Sequence, residues 1–432
     1  MERILKKYPI SLTDSLKRQL LLWAQRYEEV IWLDSNDHNQ NHSSYRALLA
    51  VDAKSKIEIG ASHAFDALAT YRKNTPDWMF GYLSYDLKND VEQLHSRNFD
   101  GLQFPDLYFF RPKKVFLFTD TEVEMHYLEE VADEMEKDWE LVNQQQVKTE
   151  SLVSEENIRI RLRTSKDNYF AKVNEMLRHI DRGDIYEANF CQEFFAEQTT
   201  IDPIRAFHHL NEISIPPFAT FLRLGDLYAL SASPERYLRR EGTHVVSQPI
   251  KGTAKRLEDP VADAEMARFL ENDPKERSEN IMITDLVRND LSRFAIKGSV
   301  GVEELCKIYS FEQVHQMIST ITCEIPEDFP SVSLIKNTFP MGSMTGAPKV
   351  SAMKIIENLE DAKRGLYSGA IGYFTPTGDF DFNVVIRSIL YNAQACYVSY
   401  SVGGAITAKS IPENEYEECL LKAKAMRKVL EG

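Results

Sequence analysis

The strongest constraint on the fold lies after residue 158, where strand-like and helix-like stretches alternate to the end of the sequence. Thr164 or Ser165 is suited to cap a helix in which Tyr169, Phe170, Val173, Met176, Leu177 and Ile180 share one face, and Gly183 is suited to end it. Strands are expected at 186–195 and 218–233, and a hairpin-like pair leads to Lys251. Helices follow at 261–270 and 275–293, then strands near 369–375, 382–390 and 396–402, and a last helix over 413–430. This mixture predicts a large α+β or α/β core. Residues 1–140 form a separate mixed region that includes "WMFGYLSYDL", 141–157 read as a polar connector, and 158–432 form the main region.

Composition removes several classes of function. Hydrophobic residues make up 43% and charged residues 27%, as in a water-soluble globular protein. No apolar run is long enough to span a bilayer, and the opening "MERILKKYPISLTD" lacks the apolar segment of a secretion signal. Five cysteines are scattered without a CxxC pair, which fits a reducing, cytoplasmic setting and neither a disulfide framework nor a structural zinc site. A net charge of −15 argues against nucleic acid as a partner. An anionic ligand would need local cations, for which Arg387, Lys349, Lys251 and Lys422 are the candidates.

Two expected helices carry carboxylates three residues apart: Glu276 and Glu279 in "KERSENIMITDLVRNDLSR", and Glu415 and Glu418 in "PENEYEECLLKAK". Such pairs repel by about 0.2–0.5 kcal/mol on an isolated helix, so they are either solvated or share a cation. A hard divalent ion such as Mg²⁺ takes oxygen ligands and keeps positions open for an anionic substrate, whereas no HxxxH spacing suggests zinc. In "SQPIKGTAKR" Lys251 follows a stiff Pro-Ile entry and precedes Gly252, which permits a sharp turn or close approach of a ligand. "FPMGSMTGAPKVSAM" offers Gly342, Ser343, Thr345 and Gly346 before a helix-starting proline, an arrangement able to cradle an anion. "GGAITAKS" has phosphate-loop spacing but Ala408 where the second glycine belongs, so a nucleoside-triphosphate site is disfavoured.

Taken in order, "SPERYL", "QPIKGT", "KERSENIMITDLVRNDLSR", "FPMGSMTGAPKVSAMKIIENLE", "YSGAIGY", "FDFNVVIRS" and "PENEYEE" resemble the chorismate-utilising enzymes, over essentially all of 165–430. The family includes the component I chains of anthranilate synthase and aminodeoxychorismate synthase, isochorismate synthase and salicylate synthase. The resemblance implies a large two-sheet β core flanked by helices, with an N-terminal region of the component I type.

Lys251, where anthranilate synthases have Ala, points to the aminodeoxychorismate branch. Glu187, where isochorismate and salicylate synthases carry a water-activating lysine, points away from hydroxylation. The resemblance implies that Lys251 attacks chorismate while Glu235 acts as general acid. It also implies Mg²⁺ held by Glu279 and Glu418 with Glu276 and Glu415 behind them. Arg387 and Tyr367 would hold a substrate carboxylate, and Ser343, Gly403, Gly404, Thr253, Gln316 and Lys422 would line the pocket. Lys251 is expected to need a lowered pKa. Gln316 departs from a family histidine, and His315 beside it should face the other way along a strand. Ammonia would come from a separate glutamine amidotransferase subunit. The alternatives are an anthranilate synthase component I and a non-catalytic chorismate-binding relative.

Overall fold

The computed structural model describes residues 2–38, 42–146, 158–311 and 314–432. Most of the expected polar connector lies outside the described residues. The expected capped helix forms over Lys166–Asp181, with the Ser165 hydroxyl accepting from the Asn168 N–H and Gly183 at φ 81° just beyond its end. The stretch 218–233 folds as two strands, Phe218–Leu224 and Leu227–Ser233, around a turn at Gly225. The single strand expected at 382–390 is broken into Phe380–Val384 and Ser388–Asn392, because Arg387 takes a left-handed φ of 52°.

The strands hydrogen-bond in one long antiparallel ladder. It runs from Val314–Glu324, which is flanked on its other edge by Gly301–Ser310, through His244–Gln248 and its continuation Ile250–Lys255 to Arg236–Glu241, Phe380–Val384 and Ala370–Phe374. Met79–Leu83 then joins Ala370–Phe374 to Leu107–Phe118. From there the ladder continues through Ala47–Ile59, Glu29–Asp34, Phe218–Leu224, Leu227–Ser233, Ser388–Asn392, Tyr397–Thr407 and Glu187–Ala196. Strands from 1–140 therefore sit in the middle of this path, with Glu122–Leu128 and Arg3–Pro9 branching from Leu107–Phe118 as an outer edge, and strands from 158–432 form the two ends of the path.

Side-chain alternation sorts this ladder into layers. Ile31, Leu48, Phe80, Tyr82, Leu222, Tyr373 and Leu390 come from both halves and form one core between two facing sheets. Their neighbours Trp32 and Leu49 point the opposite way and pack under helices that include Lys166–Asp181, Lys349–Leu359 and Pro412–Glu431. Met79, Leu83 and Phe382 pack on the other outer face with helices that include Pro274–Ser292 and Ser331–Thr338. The result is the expected two-sheet β core with helices outside. Among the described residues, no helix is long and apolar enough to cross a membrane.

Candidate active site

Because the ladder folds back on itself, its two ends meet. Lys251 on the strand Ile250–Lys255 lies 3.3 Å from Glu187 Oε1, at the start of Glu187–Ala196. Both side chains are enclosed, at 11% and 2% exposure. Pro249 accepts from the Ser319 N–H, and the Asn280 amide donates to the carbonyls of Lys251 at 3.4 Å and Met317 at 3.1 Å. Asn280 in turn accepts from the Ser319 hydroxyl. The lysine is thus aimed by its own backbone. Gly252 has φ 92°, and a Cβ there would lie 3.2 Å from the Glu276 carboxylate and 3.3 Å from Leu270. The room it leaves admits the acidic helix, where sequence reasoning gave it to a ligand.

The expectation of a lowered lysine pKa is not met. Burial alone would lower it, but the carboxylates of Glu187, Glu279 and Glu235 outweigh burial and hold the ammonium form above its ordinary range. Glu235 answers its expected role. It is buried beside Pro234 at the end of Leu227–Ser233, and its Oε1 accepts from the Ser343 hydroxyl at 2.5 Å. Burial raises its pKa to about 7, against the opposing influence of Ser343, Lys251 and Arg387. Ser343 therefore contacts the acid itself. The Arg387 carbonyl accepts from the Ala232 N–H, but among the described residues its guanidinium has no hydrogen bond or ion pair, and burial lowers its pKa while Glu235 partly offsets this. Its guanidinium is available to an anion.

The two acidic helices do converge. The Lys275 ammonium stands 3.9 Å from both Glu279 Oε1 and Glu415 Oε1, bridging Pro274–Ser292 and Pro412–Glu431. Burial raises Glu279 to about 7 and pushes Glu276 and Glu415 upward. Glu418 moves the other way, because Lys422 at 2.7 Å, together with other lysines, outweighs its burial. Among the described residues no three His, Cys, Asp or Glu side chains stand close enough to enclose a metal. Glu279 and Glu415 nevertheless face each other across a cation, and buried Glu279 Oε1 lacks a hydrogen-bond partner. Carboxylates on facing helices, with the unpartnered Glu279 Oε1 among them, fit Mg²⁺, which uses one or two protein carboxylates and completes its shell with water and substrate.

Gly403 and Gly404 lie within the strand Tyr397–Thr407, paired with Cys191 and Phe190, so the near-phosphate-loop sequence forms no loop. A Cβ on Gly404 would lie 3.3 Å from Glu415 Oε2, which makes that glycine a floor beneath the carboxylates. Lys422 donates to the Gly403 carbonyl at 3.0 Å. Gln316 is buried with both amide atoms unpartnered, while His315 turns away to Asp263 and Ser310, as strand alternation requires.

Other expected contacts differ. The Tyr367 hydroxyl donates to Cys191 Sγ at 3.5 Å, behind Gly403. Thr253 is exposed. Lys349 pairs with buried Asp290, so its charge is already engaged. The sequence reading missed the contact between Glu187 and Lys251 and the bridging role of Lys275. Only the like-charge spacing on the helices hinted at a cation between them.

The profile of a family described as chorismate binding enzyme matches residues 16–428. The component 1 chain of aminodeoxychorismate synthase from Salmonella typhimurium is 42% identical over 264 residues, 61% of this chain and 58% of that one. Its counterpart from Bacillus subtilis is 31% identical over 362 residues, 81% of this chain and 76% of that one. The chain spans only 37% and 58% of the length of the first curated relatives it matches. Anthranilate synthase component I from Streptococcus pneumoniae superposes with a TM-score of 0.77 at 24% identity, covering 90% of this chain and 94% of that one, and shares the fold. The ladder that closes on itself, the paired acidic helices and the match over nearly the whole sequence lead to one assignment: this chain belongs to the chorismate binding enzyme family.

Proposed function

We propose that the chain is the synthase component of an aminodeoxychorismate synthase, replacing the C4 hydroxyl of chorismate with an amino group to give 4-amino-4-deoxychorismate for 4-aminobenzoate and folate synthesis. The observation that carries this reading is the enclosed Lys251 amine beside the buried acid Glu235. Relatives named aminodeoxychorismate synthase support it. An anthranilate synthase needs no lysine at this position.

Lys251 Nζ attacks C2, the ring double bonds shift, and the C4–O bond breaks. Glu235 has its pKa near 7 and gives its proton to the departing oxygen, so water leaves. Ammonia then attacks C4, the shift reverses, and the C2–N bond breaks to release Lys251. The guanidinium of Arg387 holds a substrate carboxylate against the net charge of −15. Glu279 and Glu418, with Glu276 and Glu415 behind them, would hold Mg²⁺, which when bound neutralises the ring carboxylate. Lys275, half-exposed between Glu279 and Glu415, would give up that position to a bound metal. Ammonia is supplied by a separate glutamine amidotransferase.

The test is incubation with chorismate, an ammonium salt and Mg²⁺. The expected product becomes 4-aminobenzoate only after a lyase is added. Direct appearance of fluorescent anthranilate would instead identify an anthranilate synthase.

A further inference from the structure

From the contact that closes the ladder we infer that Glu187 is a catalytic base, taking a proton from Lys251 before attack and returning it after release. This rests on the reading of Lys251 as the nucleophile. An amine attacks through its lone pair, so an ammonium must first lose a proton to a group within reach. Among the described residues Glu187 is the ion-pair partner of Lys251, with Oε1 3.3 Å from Nζ. Its second oxygen, Oε2, is buried without a hydrogen-bond partner and is free to carry a proton. The other charged groups around the lysine are Glu235 on the sheet side, Glu279 on the helix Pro274–Ser292 and Glu418 on the helix Pro412–Glu431, all beyond ion-pair distance. Glu235 is already committed as the acid toward C4.

The protons balance over the cycle. The resting pair is Lys251 ammonium with Glu187 carboxylate, and Glu235 is protonated. An N–H bond of Lys251 breaks and an O–H bond forms on Glu187. The lone pair then bonds to C2, the C4–O bond breaks, and the leaving oxygen takes the Glu235 proton to become water. After ammonia has added at C4 and the C2–N bond has broken, Lys251 departs as a neutral amine. It recovers its proton from Glu187, while the new C4 ammonium returns one to Glu235. Chorismate and ammonia have become product and water, and every side chain is as it began.

Glu187→Gln keeps the size and a hydrogen bond but cannot take the proton. The measurement is the rate of covalent adduct formation with chorismate and Mg²⁺, without ammonia, followed by intact-protein mass spectrometry from pH 6.5 to 9.5, with chorismate affinity measured in parallel. The expected result is adduct formation at least about 10-fold slower at pH 7 in the variant, with affinity little changed and the deficit shrinking as pH rises toward the lysine's own range. Glu187→Asp, which retains a carboxylate, is expected to recover part of the rate at pH 7. An unchanged or faster rate at pH 7 in Glu187→Gln, or a deficit that does not depend on pH, overturns the inference. If the wild-type protein forms no adduct on Lys251, the nucleophile reading itself fails, and the two failures are thereby distinguished.

Discussion

Glu235 shows how one buried side chain links reaction and stability. Its folded pKa of about 7 lies above the ordinary value of 4.5. The protonated form is favoured in the fold, so its contribution is fully present below about pH 4.5 and is lost as pH rises through about 7. Two outcomes follow for Glu235→Gln. Amination should fall by roughly 10²–10⁴-fold with chorismate binding retained, measured by product formation and calorimetric titration. The variant should also be more stable than wild type at pH 8 by about 1–3 kcal/mol, with that advantage fading near pH 4.5, as read from urea unfolding at both pH values. Asn280 gives a second case. Removing its buried amide in Asn280→Ala strands the Met317 and Lys251 carbonyls and should cost about 1–3 kcal/mol. Amination should slow as well, since the lysine loses its backbone anchor. Glu235, Lys251 and the four glutamates were legible in the sequence because each lies in a short local motif. The pairing of Glu187 with Lys251 was not, because it depends on opposite ends of the ladder meeting in space.

At the scale of elements, the strand Tyr397–Thr407 carries the sharpest contrast. A methyl group on Gly403 would meet the Phe190 carbonyl at 2.5 Å and would also press on Cys191 Sγ, which fixed backbone pairing cannot relieve. A methyl on Gly404 meets the ends of Glu415 and Lys422 side chains, which can move. Gly403→Ala should therefore lower stability by about 1–3 kcal/mol, while Gly404→Ala changes stability little and instead weakens Mg²⁺-dependent amination, as thermal unfolding and rate assays against Mg²⁺ concentration would show. The long helices and most strands were legible from periodicity and caps. The break at Arg387 was not. A left-handed arginine carries no composition signal, and tertiary packing overrides the strand propensity of "VVIRSIL".

For the whole molecule, the position of residues 1–140 matters most. Met79–Leu83 is hydrogen-bonded on one edge to Leu107–Phe118 and on the other to Ala370–Phe374, and Glu29–Asp34 joins Ala47–Ile59 to Phe218–Leu224. A fragment comprising 158–432 would expose the edges these strands cover and divide the inner core. It should show no cooperative thermal transition by calorimetry, whereas the full chain should show one. A composition shift at 141–157 suggests a division of the chain there. That both sides of it build one ladder was not readable, because sheet pairing between distant strands leaves no local mark. The proposed chemistry depends on Lys251 Nζ being the atom that meets the substrate. Mass spectrometry of the protein after exposure to chorismate and Mg²⁺ without ammonia tests this most directly. An adduct mapping by peptide digestion to Lys251, and absent from Lys251→Ala, is the predicted result. An unmodified protein that still aminates chorismate when ammonia is supplied, or an adduct on another residue, would contradict it.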